Sequence, residues 1–91
     1  TILVSTDNGS TWTQKNSGTT RALQGVACNG NIWVVVGNNG TILVSTDNGS
    51  TWTQKNCGTT KDLLSVAYNG TTWIAVGGTG TILVSTDTSL W

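Results

Sequence analysis

Short apolar runs rich in Val and Ile alternate along the whole chain with clusters of Gly, Asn, Ser, Thr and Asp. No run has the three-to-four-residue spacing of an amphipathic helix. β-branched residues dominate and turn residues recur about every 8–12 positions, so the pattern predicts an all-β chain. LQGVACNG, residues 23–30, reads as a strand ending in an Asn-Gly turn, and NIWVVVG at 31–37 as the next strand. NNG at 38–40 is a tight connection. TILVSTD at 41–47 is a third strand, NGS at 48–50 a hairpin signal, and TWTQKN at 51–56 a fourth strand.

Side chains of a strand point alternately to its two faces. WVVV and TILV are apolar on consecutive residues, so both faces of these middle strands need cover. TWTQKN alternates and carries charge, as an outer edge strand blunted by Lys15 or Lys55 would. The unit recurs: residues 1–40 align with 41–80 without a gap, twelve of the forty positions differ, and 81–87 begin the unit again. Copies this alike point to recent amplification or to a designed repeat. Four short strands in a period of about 40 residues, with both faces covered and one polar edge, match a β-propeller blade. A β-solenoid coil is the alternative.

STDNGSTW stands at 5–12 and again at 45–52. Its pattern S-x-D-x-G-x-x-W is met by Ser5, Asp7, Gly9 and Trp12 and by Ser45, Asp47, Gly49 and Trp52. It resembles the Asp-box of bacterial neuraminidase repeats, found in sialidase-like and photosystem-assembly-factor-like propellers. A third start, Ser85 and Asp87, lacks the glycine. The resemblance implies a propeller in which this motif is the hairpin between the third and fourth strands of each blade. Locally, the aspartate can accept backbone N–H groups across the turn and the glycine supplies the left-handed conformation. The tryptophan can lay its ring against the blade face. The expected role is structural. The carboxylate ladder of a calcium loop is missing, so no metal is expected.

These boundaries divide the chain into a half blade (1–16), a full blade (17–56) and a partial blade (57–91). Two blades and a strand cannot close a ring, and open apolar faces and strand edges favour association. Head-to-tail self-assembly is therefore expected, residues 1–16 of one copy completing 63–78 of the next. A trimer would carry six blades and a tetramer eight. TILVSTD occurs at both 1–7 and 81–87, and which of the two serves the junction stays open.

Composition excludes several functions. Charged residues make up 9% of the chain, against roughly 25% in typical domains. The four cations Lys15, Arg21, Lys55 and Lys61 are dispersed, so no nucleic-acid partner is expected. No apolar run approaches the ~20 residues of a membrane span, and no signal-peptide pattern is visible, so a soluble chain of undetermined compartment is expected. Histidine and glutamate are absent, and Arg21 and Tyr68 are the only residues of their kinds. A sialidase-like reaction would need an arginine cluster and a tyrosine nucleophile with an acidic partner. No enzyme activity and no cofactor are expected. GNNG at 37–40 and GGTG at 77–80 precede strands rather than helices, so they read as turns and not as phosphate loops. Cys28 and Cys57 are not repeat-equivalent and read as two free thiols.

The leading expectation is a non-catalytic, self-assembling scaffold. The alternative is a glycan- or small-molecule-binding module. It would use the loops between repeats and those between second and third strands, with Arg21, Asn38, Asn39, Lys61, Asp62 and Thr79 as candidate contacts. Trp33 and Trp73 could stack on a ligand, but their apolar strands place them in the core.

Overall fold

The computed structural model describes residues 1–55 and 58–86. It is all-β, with three antiparallel sheets in chain order. The first pairs β1 (Ile2–Val4) with β2 (Thr13–Lys15). The second runs β3 (Leu23–Cys28), β4 (Trp33–Gly37), β5 (Thr41–Ser45) and β6 (Thr53–Lys55). The third runs β7 (Leu63–Tyr68), β8 (Trp73–Gly77) and β9 (Ile82–Ser85). Within each sheet every strand pairs with its neighbour in sequence, as short hairpin connections require. The strands lie where alternation and turn residues put them, although the fourth segment is strand only over Thr53–Lys55.

The repeat is reproduced in the hydrogen-bond ladders. Trp33 faces Ser45 and Val34 faces Val44, just as Trp73 faces Ser85 and Ile74 faces Val84. β4 passes to β5 through a 3₁₀ turn, Asn38–Gly40, and β8 to β9 through Gly78–Gly80. Before each turn the chain meets the residue that precedes the sheet's first strand. Asn38 N–H donates to the Ala22 carbonyl at 2.9 Å, and Gly78 N–H to the Asp62 carbonyl at 2.9 Å. A Cβ on Gly37 or Gly77 would run into that same carbonyl oxygen, which accounts for glycine at both places.

The main core lies between the second and third sheets. Val34, Val36, Ile42 and Val44 form one side, and Leu63, Val66, Trp73 and Ala75 the other. The opposite face of the second sheet, Val35 and Leu43, is covered by Ile2, with Val4, Leu23 and Trp52 around it. The apolar residues of β4 and β5 are thus buried on both faces of the central sheet, as their consecutive apolar run demands. β8 and β9 carry the same kind of sequence, yet one of their faces stays open.

The first strands of the two larger sheets approach closely. A Cβ on Gly25 would stand 2.9 Å from the Ser65 Cα and 3.2 Å from the Leu64 carbonyl oxygen, so only glycine fits this separation. Gly25→Ala is expected to push the sheets apart and cost about 1–3 kcal/mol, the range for overpacking a core. Urea unfolding followed by circular dichroism measures it. An unchanged midpoint would show that the sheets slide freely at this point.

Candidate functional site

Each eight-residue motif builds a closed set of hydrogen bonds. Asp7 Oδ1 accepts the Thr11 N–H at 2.9 Å and the Ser5 hydroxyl at 2.8 Å, and Oδ2 accepts the Thr11 hydroxyl at 2.6 Å. Ser5 Oγ accepts the Gly9 N–H at 2.8 Å, and the Trp12 indole N–H donates to the Gly9 carbonyl at 3.1 Å. Asp47 repeats the pattern with the Thr51 N–H at 2.9 Å, the Ser45 hydroxyl at 2.8 Å and the Thr51 hydroxyl. The Gly49 N–H meets Ser45 Oγ at 2.8 Å, and Trp52 meets the Gly49 carbonyl at 3.0 Å. Asn8 and Asn48 at φ 63°, with Gly9 and Gly49 at φ 89°, turn the chain through the left-handed region. Asn and Gly adopt that region most readily. The tryptophan ring lies close over its own turn, beside the glycine. Trp12 is exposed, whereas Trp52 also packs on the cluster around Val35 and Leu43. Ser85 is buried at the end of β9, and Asp87 lies outside the described residues.

The two threonines are the members of this network that the motif pattern does not show. The Thr11 hydroxyl, then the Thr11 N–H, then the Ser5 hydroxyl hold the Asp7 carboxyl down from 3.8 to about 2. Thr51 and Ser45 hold Asp47 at about 2 in the same way. All of these donors favour the charged form. Because the folded value lies below the unfolded one, the stabilisation is complete above 3.8 and drains away as pH falls towards 2. The urea midpoint is expected to be flat near neutrality and to decline through that acid window. Asp47→Asn should lower the neutral midpoint and weaken the acid decline. An identical acid profile in the variant would remove the carboxylate from this role.

The loop residues join to each other. Asp62 Oδ1 accepts the Asn39 N–H at 2.9 Å, linking the loop ahead of β7 to the turn after β4. Asn38 Oδ1 accepts from Gln24 Nε2 at 3.2 Å, and the Thr79 hydroxyl donates to the Gly78 carbonyl at 2.7 Å. Arg21 and Lys61 give their backbone N–H groups to the hydroxyls of Thr19 and Thr59, at 3.1 and 3.2 Å. Asn39 is therefore brought to Asp62, and Asn38 to Gln24, in bonds that hold loops in place.

The aromatic pair Tyr68 and Trp73 packs with ring centroids 4.4 Å apart, and the Tyr68 hydroxyl donates to the Gly70 carbonyl at 2.6 Å. Trp73 is buried. Trp33 is half-buried and donates its indole N–H to Asn48 at 3.3 Å. Cys28 is a free thiol, and Cys57 lies outside the described residues.

Repeat-equivalent residues differ sharply in burial. Ile42 is 0% exposed and Ile82 67%, while Val44 is 5% and Val84 55%. Likewise Leu43 is 1% exposed and Leu3 52%, and Val66 is 7% and Val26 57%. Two apolar surfaces result. One is the face of β8 and β9 formed by Ile74, Val76, Ile82 and Val84. The other is a groove of about 520 Å³ beside β1, floored by Leu23, Val26, Trp33 and Val35. Among the described residues no helix is long and apolar enough to cross a membrane. No protein-family model, curated protein or solved structure matches this chain.

Proposed function

We propose that this chain is a non-catalytic scaffold, a pair of β-propeller blades of the Asp-box type that closes a ring by head-to-tail assembly with copies of itself. The observation that carries this reading is the unequal burial of equal sequence. Where Val34, Val36, Ile42 and Val44 meet Leu63, Val66, Trp73 and Ala75, the repeat supplies both sides of a packed interface. Ile74, Val76, Ile82 and Val84 are the same surface one repeat along, without its complement. Leu23, Val26, Trp33 and Val35, in the groove beside β1, are the repeat equivalents of that complement, without its covering face.

The two surfaces differ from each other, so their union is head to tail and propagates until rotation closes it. Burial of each apolar side chain contributes roughly 1.5–3 kcal/mol, which gives the four exposed residues of one face a strong tendency to associate. The four-strand repeat of about 40 residues and the two complete Asp-box turns support a propeller as the ring that results.

Light scattering behind size exclusion tests the reading. The expected mass is three or four times the 9.5 kDa of the chain. A folded species that stays at one chain mass up to high concentration would overturn it.

A further inference from the structure

We infer that β9 is a placeholder, and that in the assembly β1 of a second copy displaces it from β8. This rests on the self-assembly reading and names the strand that makes the junction. Residues 1–7 and 81–87 are the same heptapeptide, so β1 and β9 offer β8 identical side chains and identical backbone partners. β9 already shows the register: Trp73 opposite Ser85, Ile74 opposite Val84, Ala75 opposite Leu83 and Val76 opposite Ile82. In the exchanged sheet, Ser5, Val4, Leu3 and Ile2 of the second copy take those four places. The pairing with β8 is conserved, bond for bond.

What decides between two identical strands is what each carries with it. Among the described residues β9 is the edge of a three-stranded sheet. β1 is already paired with β2 through a turn closed by Asp7, Ser5 and Thr11. Displacement therefore turns a three-stranded sheet into a four-stranded one with the order of the central sheet. It also moves Leu3 from solvent into the place held by Leu83 against the main core. The same movement lowers Ile74 and Val76 onto Val26 in the groove beside β1, which the outward edge of β1 borders. β9 gains nothing comparable by staying, because Ile82 and Val84 remain exposed with β9 in place.

The full chain at associating concentration, followed by residue-resolved hydrogen exchange, tests this directly. The expected result is loss of protection at Ile82–Ser85 and new protection along Ile2–Val4, relative to the dilute monomer. Two variants give an independent reading by light scattering. Leu3→Asp is expected to abolish assembly while leaving the monomer folded, since Leu3 is exposed there. Leu83→Asp is expected to keep the wild-type subunit number. Retained protection at Ile82–Ser85 in an oligomer of undiminished mass would overturn the exchange and leave self-assembly standing. A wild-type chain that never associates would overturn both.

Discussion

Trp73→Ala is expected to remove about 3–5 kcal/mol of stability, and Trp33→Ala less than half of that, when both are measured in the dilute monomer. The two residues occupy the same position of the repeat and sit in the same kind of strand. Trp73, however, is 2% exposed, stacks on Tyr68, and belongs to the cluster that joins the second and third sheets. Its removal leaves a cavity between two sheets that each depend on the other for cover. Trp33 borders the open groove, where truncation enlarges a space already open to solvent. Total stabilities of small domains are of order 5–15 kcal/mol, so Trp73→Ala should leave little margin at room temperature. Urea unfolding followed by far-ultraviolet circular dichroism avoids the loss of fluorescence that either change brings. Equal losses in the two variants would contradict the asymmetry of the core. If copies assemble as proposed, the cost of Trp33→Ala should rise towards that of Trp73→Ala, because a neighbouring copy would roof the groove.

The second large effect concerns assembly. Ile74→Glu should change monomer stability by under about 1 kcal/mol, as surface substitutions do, and leave one chain mass at every concentration. Ile74 is exposed in the centre of the open face, opposite Val84. A carboxylate there is harmless in water, but burying it unpaired against Val26 or Trp33 costs several kcal/mol. Val34→Glu puts the same group at the equivalent position of the central sheet, where exposure is 0%, and should unfold the chain outright. The pair of variants separates the chemistry of the side chain from the cover around it. An Ile74→Glu variant of unchanged oligomeric mass would exclude this face from the interface.

Much of the fold is legible in the sequence because the information is local. β-branched runs and turn-forming residues between them place all nine described strands, and the hairpin motif announces its own turn. The acceptor role of Asp7 is readable from its place ahead of the glycine. The part of Thr11 is not, because threonine is also the commonplace residue of a strand. The Asp62 bond to the Asn39 N–H is invisible for another reason: it joins residues of different sheets, and only packing brings them together. Burial of the TILV strands is the least legible feature. The three copies are identical letter for letter, and their exposure differs only through what stands beside them. Consecutive apolar residues state that both faces need cover, without saying whether this chain supplies it.

Gly25 and Asp62 have a consequence for how such a ring would come apart. Their repeat counterparts are Ser65 and Ala22. Where one sheet meets the next within a chain, the backbones close to glycine distance and an aspartate ties the loops. Where one copy meets another, the corresponding positions offer a serine side chain in place of the glycine, and an alanine in place of the aspartate. A ring of these chains would therefore have seams of two kinds in alternation, a tight one inside each subunit and a looser one between subunits. Warming should part it first along the looser seams, releasing intact two-blade pieces before any of them melts.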